Sequence, residues 1–228
     1  MRREFMLKTF GEKKKTCFLC GTESTHTGLI STASLGSTDL DSRPPEPERS
    51  SLSYWIHTCP SCGYCAPDLS EGDRAFEAVV RGDEYRNTLE NPSIPRLAGQ
   101  FLCWALLQES GKEYDKAGWG AIHAAWACDD AGAGQWAAKC RKRASELLVR
   151  AREMGQWFAE DAGLEEAILV DLLRRAGRFE EALKLCGERL NKEPEETVKV
   201  ILLYQKALIG KSDDSRHTVA EALRQVQS

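Results

Sequence analysis

Cys17-Phe18-Leu19-Cys20-Gly21 and Cys59-Pro60-Ser61-Cys62-Gly63 decide how this chain reads, because each has the shape of half a tetrahedral metal site. In such a knuckle the first cysteine opens a tight turn and the second closes it. The following glycine takes a positive φ that a Cβ would strain. One C-x-x-C pair is a weak signal, shared by redox motifs and chance. Two pairs supply four soft thiolates, the number a closed structural zinc site requires. Cys17, Cys20, Cys59 and Cys62 are therefore the expected metal ligands, with Zn2+ as the structural cofactor. Iron in a rubredoxin-like site is the close alternative. Four unligated core cysteines, or disulfides, fit less well, because Gly21, Pro60 and Gly63 punctuate turns.

Outward from the knuckles, 38 residues separate Cys20 from Cys59, too many for a minimal finger. Thr27 to Ala33 and Leu52 to Thr58 have the β-branched and aromatic character of short strands. Gly36 to Ser53, centred on Pro44-Pro45-Glu46-Pro47, is too polar for either strand or helix and reads as a loop. Within it Asp39, Asp41 and Arg43 read as a solvated cluster. If the loop folds back on the knuckles, Arg43 would offset the −2 formal charge of zinc with four thiolates. Ahead of Cys17, Arg2, Arg3, Lys8 and Lys13 to Lys15 outnumber Glu4 and Glu12, which suggests a solvated, partly disordered basic tail.

From Ser70 the pattern turns helical. A first helix is expected from Ser70 to about Asn91-Pro92. A second carries Leu97, Phe101, Trp104 and Ala105 on one stripe and stops at Gly111. Further helices are expected over Tyr114 to Asp130, about Gln135 to Met154, Leu164 to Ala176 and Phe179 to Leu190, with another opening at Pro194. Val219, Leu223 and Val226 stripe a closing helix. Leu169, Leu173, Gly177, Ala182 and Pro194 sit where a tetratricopeptide repeat of about 34 residues wants large, Gly, small and Pro positions. Cys186 and Arg189 depart from that pattern, so the repeat is degenerate. Such hairpins bury their apolar faces only by stacking. Trp104, Trp119, Trp126, Trp136 and Trp157 are spaced as core positions.

The expected fold class is mostly α: a small N-terminal β zinc-ribbon-like module followed by an α-helical tetratricopeptide-like hairpin array. Residues 1–16 are the basic tail, 17–69 the ribbon-like module with its long loop 36–53, and 70–228 the helical repeat-like domain.

The order of these features resembles a known family. The first knuckle is followed by Ser37-Thr38-Asp39-Leu40-Asp41-Ser42-Arg43-Pro44 and then by Tyr54-Trp55-Ile56 leading into Cys59-Pro60-Ser61-Cys62-Gly63-Tyr64. The helices include Ala124-Ala125-Trp126-Ala127-Cys128-Asp129-Asp130-Ala131-Gly132. Together they resemble the bacterial family of uncharacterised proteins designated domain of unknown function 2225. The resemblance implies a zinc-ribbon-like N-terminus before tetratricopeptide-like helices, and no activity. The resemblance implies a small residue where Cys65 stands, so Cys65 looks like a replacement of an alanine rather than a fifth ligand, and Glu48 to Leu52 replace an expected Asn-Pro-like turn.

Nine cysteines in a chain whose start lacks the look of an export signal favour a reducing, cytoplasmic setting. No apolar run reaches the roughly 18 residues of a membrane span. The net charge of −4 argues against whole-surface nucleic-acid binding, which draws on clustered Lys and Arg. The leading functional expectation is a non-enzymatic interaction or scaffold protein, with an unidentified protein partner on the helical repeats. A nucleic-acid-binding ribbon is the alternative, with Lys13 to Lys15 on phosphates and Phe18 or Trp55 stacking. A metallohydrolase would need His26 or His57 in place of one thiolate, and Asp39 or Asp41 as base. His123 reads as a packed helix residue and His217 as a surface one.

Overall fold

A computed structural model describes residues 8–160 and 162–225, of which most are helical. Two antiparallel hairpins come first: β1 (Lys8–Thr16) with β2 (Glu23–Thr32), and β3 (His57–Thr58) with β4 (Cys65–Ala66). Between them lies a 3-10 helix, Arg49–Tyr54. The helices α1 (Phe76–Arg81), α2 (Asp83–Glu90), α3 (Arg96–Ser110), α4 (Tyr114–Asp130), α5 (Gly134–Glu153), α6 (Ala162–Arg175), α7 (Phe179–Leu190), α8 (Glu196–Gly210) and α9 (Val219–Arg224) follow.

Each cysteine knuckle is the turn of one hairpin. Residues 17–22 join β1 to β2, and 59–64 join β3 to β4. Cys17 N–H donates to Thr22 O at 2.9 Å and Gly21 N–H to Cys17 O at 2.8 Å; Cys59 to Tyr64 and Gly63 to Cys59 repeat the pattern at 2.8 and 3.0 Å. Gly21 and Gly63 sit at φ 73° and 77°, the left-handed region that a Cβ disfavours.

The basic segment departs from the tail reading wherever it is described. Lys8 to Thr16 form β1, paired with β2 from Lys8↔Thr32 to Thr16↔Glu23. Lysines suit an exposed two-stranded ribbon, because their charges sit in water while the backbone pairs. Phe10 stacks on Tyr54 with centroids 4.5 Å apart. Arg2, Arg3 and Glu4 lie outside the described residues. Leu52 to Tyr54 are in the 3-10 helix rather than a strand, which leaves only His57–Thr58 extended.

The helical readings hold best where apolar periodicity is long. Tyr114–Asp130 and Phe179–Leu190 have the expected bounds, and Gly111 caps α3. The first helix begins later, at Phe76, because Asp68 and Asp73 accept from the backbone N–H of Ser70 and Ala75 and so build turns. Gly82, extended at ψ 152°, then divides α1 from α2. Val226 lies outside the described residues.

α4 packs between α3 and α5. Its glycines permit that close approach: a Cβ on Gly118 would lie 2.3 Å from Leu148 Cδ2, and one on Gly120 2.9 Å from Trp104. A second core joins α6, α7, α8 and α9, where Val170, Ala182, Cys186 and Leu202 are fully buried.

The ribbon is not tethered loosely to the helices. Cys17, Leu52, Ile56, Cys59 and Tyr64 belong to the same apolar core as Phe101, Ile122 and Trp126, and Leu40 of the loop enters the second core. Backbone bonds from Val219 N–H to Thr38 O (2.9 Å) and Leu40 N–H to His217 O (3.0 Å) close the loop against the start of α9. No helix among the described residues is long and apolar enough to cross a membrane.

Candidate metal centre

The two hairpin turns face each other and bring four sulfurs together. The Sγ atoms of Cys17, Cys20, Cys59 and Cys62 all lie within 4.8 Å of one another. Cys17 to Cys62 is 3.7 Å and Cys20 to Cys59 is 3.5 Å. A metal with sulfur bonds of about 2.3 Å sets tetrahedral edges of about 3.8 Å, so the donor set fits such an ion in number, chemistry and spacing. Zinc and iron share that geometry.

The backbone prepares the site for thiolates. Backbone N–H groups of Leu19 and Cys20 favour the thiolate form of Cys17, and those of Thr22 and Tyr64 favour it at Cys20 and Cys62. The Thr22 hydroxyl, 3.3 Å from Cys20 Sγ, holds that thiol down to about 6. Burial pushes the Cys17 and Cys62 thiols up. The exposed Cys20 therefore ionises more readily than Cys17 and Cys62, and a bound divalent ion would offset the burial that disfavours their thiolates. Cys17 and Cys59 are buried, whereas Cys20 is exposed and Cys62 half-buried. A cavity of about 210 Å³ beside Cys20 and Cys62 is lined by Arg81 and Arg86. Glu77 lines the same cavity and pairs with Arg81, which leaves Arg86 as the cation of that lining with no ion-pair partner among the described residues.

Arg43 does not offset that charge. Its Nη2 donates to Asp130 at 2.6 Å, and its guanidinium lies over Trp126 at 5.8 Å. The Asp39, Asp41 and Arg43 cluster is buried rather than solvated. Asp41 Oδ2 accepts from Trp126 Nε1 at 3.0 Å and Arg175 Nη1 at 2.8 Å; Arg175 and Arg141 also pair with Asp129. Burial alone would raise the Asp129 carboxyl, but the Arg141 hydrogen bond and the Arg141 and Arg175 charges bring it below its usual range. Asp39 pairs with Arg49, yet burial keeps its carboxyl raised. These acids are committed to structure and stand as no base for a metal-bound water. The polarity of the loop predicts solvation only if its partners are ignored, and they lie up to 134 positions away.

Cys65 lies outside the four-sulfur group. It is fully buried, with its sulfur 3.3 Å from Thr58 Oγ1 and its N–H donating to Tyr85 Oη at 2.9 Å. His26 and His57 lie on β2 and β3, their rings 5.0 Å apart, and burial depresses both. Neither is in the sulfur group.

His123 is partly buried among Trp55, Phe101, Trp119 and Trp126, with ring centroids 4.9 to 5.9 Å away. Burial pushes its imidazole down to about 4, against the pull of Asp41. Trp126 is buried and follows the core reading, whereas Trp104 and Trp119 are half-buried and pack against the core. Trp136 is half-buried, and Trp157 is 66% exposed.

No family model, no curated protein and no solved structure matches this chain.

Proposed function

We propose that this chain is a zinc-stabilised, non-enzymatic interaction protein of the family designated domain of unknown function 2225. In this reading its four-cysteine centre is a structural clamp and its tetratricopeptide-like helices carry the recognition of a partner protein. The observation that carries the reading is the closed set of four mutually adjacent sulfurs at the meeting of two hairpin turns. Four thiolates fill a tetrahedral shell and leave no position for a reacting water.

When bound, the ion supplies Lewis acidity that the four thiolates quench, so what it contributes is cross-linking. The protein's residues do the rest. Gly21 and Gly63 shape the turns, and Leu52, Ile56 and Tyr64 pass the constraint into the helical core. The buried Asp41 joins the loop to α4 and α6, so the helices are held in one relative placement. A fixed placement suits a binding surface, because less ordering is left to be paid on association.

Metal content and chelation test this. One zinc per chain is expected, with removal loosening the hairpins. A chain that purifies without metal and keeps its hairpins intact would contradict the reading. Nucleic-acid binding has one feature in its favour, the exposed Lys13 and Lys14 on β1. Filter binding at low salt, where phosphate contacts are strongest, decides it.

A further inference from the structure

Helices α2, α3 and α5 enclose a groove that the metal centre does not touch. Its two contiguous cavities, of about 390 and 410 Å³, share Glu84, Leu106, Glu109 and Arg143. The floor is apolar: Ile94, Leu102, Leu106, Trp136 and Leu147. Cavities of this size take several side chains at once.

The charges along the groove are unevenly spread. At one end Arg143 is paired with Glu109, which cancels both. Asp83 and Glu84 stand beside that pair, exposed and without an ion-pair partner among the described residues. Both sit in the first turn of α2, where the helix dipole favours acids, so the excess negative charge costs the free protein little. Arg86, on the same helix, lines the cavity beside the cysteines instead. Lys139, which lies over the Trp136 ring at 4.3 Å, belongs to the lining of neither cavity. In the lining of the first cavity Asn87 offers an exposed amide, which can both donate to and accept from a peptide backbone.

We propose that this groove docks a short peptide segment of another protein. The segment carries two or more apolar side chains over Leu102, Leu106 and Trp136, and a Lys or Arg placed against Asp83 and Glu84. The inference rests on the interaction reading above and names its site and partner chemistry. Unpaired carboxylates at one end of an apolar trough select for a cation and set the direction of the segment. Arg143 is not available to reward an acidic residue there, because Glu109 already holds it.

The test uses the zinc-loaded full chain and a phage-displayed library of random dodecamers. Enriched peptides are expected to combine apolar residues with Lys or Arg. They should bind the double variant Asp83→Lys, Glu84→Lys at least about tenfold more weakly and lose affinity as salt rises. A benzophenone amino acid in place of Asn87 should cross-link them. Both substituted acids are exposed, and unchanged circular dichroism would certify the variant's fold. Enriched peptides without basic residues, or equal binding to the charge-reversed variant, would overturn the proposal. Peptides captured by a benzophenone placed at the exposed Leu203 of α8, and not by one at Asn87, would refute the groove while leaving an interaction role standing. Failure to enrich any peptide refutes the groove, and the metal content then judges the scaffold reading separately.

Discussion

Asp41 Oδ2 lies 2.8 Å from Arg175 Nη1 although 134 positions separate them, and both side chains are buried. Asp41 lies in a polar loop of the ribbon, and Arg175 ends α6. The same carboxylate takes the indole N–H of Trp126 on α4. One acid thus joins three parts of the chain, and in a low-dielectric interior its loss leaves a guanidinium and an indole N–H short of a partner.

Replacing Asp41 by Ala should therefore destabilise the protein by on the order of 1–3 kcal/mol, the cost of leaving the Trp126 indole N–H and one Arg175 N–H buried without an acceptor while Asp129 still pairs with Arg175. Urea denaturation followed by tryptophan fluorescence measures it. A loss under about 1 kcal/mol, typical of an exposed pair, would show that the loop is not a buried strap.

Gly118 makes a steric prediction. An added methyl would meet Leu148 Cδ2 at 2.3 Å, so Gly118→Ala should cost about 1–3 kcal/mol despite alanine's better helix propensity. Pairing it with Leu148→Ala should give less than the sum of the two single losses, because the contact is shared. Additive losses in a double-mutant cycle would place the two residues apart.

His123 makes a prediction about pH. Its folded value is pushed down to about 4, below the unfolded value of about 6.5, so the unfolded chain binds this proton first. Stability should be full above about pH 6.5 and fall as pH drops toward 4. His26 and His57, also lowered by burial, act with the same sign. His123→Phe should flatten the slope between pH 7 and 5 without removing it. An unchanged slope in chemical denaturation across that range would contradict the partly buried, neutral imidazole.

Asp129 acts in a lower window. Its folded carboxyl lies below the usual value, so its contribution is present above about pH 4 and is lost as pH falls through the folded value. Asp129→Asn should raise the stability of the acid state relative to neutral pH, read as a smaller drop in melting temperature from pH 5 to 3.

Both the knuckles and the long helices were legible in the chain because their signals are local. C-x-x-C-G fixes a turn within five residues, and the stripe of α4 repeats every turn. β1 was not legible, since Lys13 to Lys15 carry no apolar alternation and its pairing is fixed by β2 beyond the turn. Gly36 to Ser53 misled for a related reason: a segment of acids, prolines and arginines buries itself here through ion pairs with α4, α5 and α6. Those partners cannot be guessed from composition. The gathering of His123 with four aromatic rings likewise depends on Trp55 arriving from the ribbon. What could have pointed to the strap is the coincidence of acids in the loop with Arg141 and Arg175 on otherwise apolar helix faces.

The central claim is that four thiolates, and nothing else, hold the metal. X-ray absorption at the zinc edge of the purified chain tests it most directly. Four sulfur neighbours at about 2.3 Å are predicted, with no nitrogen or oxygen in the shell. A shell containing nitrogen or oxygen at about 2.0–2.1 Å would bring His26, His57 or a water to the metal and contradict the closed clamp.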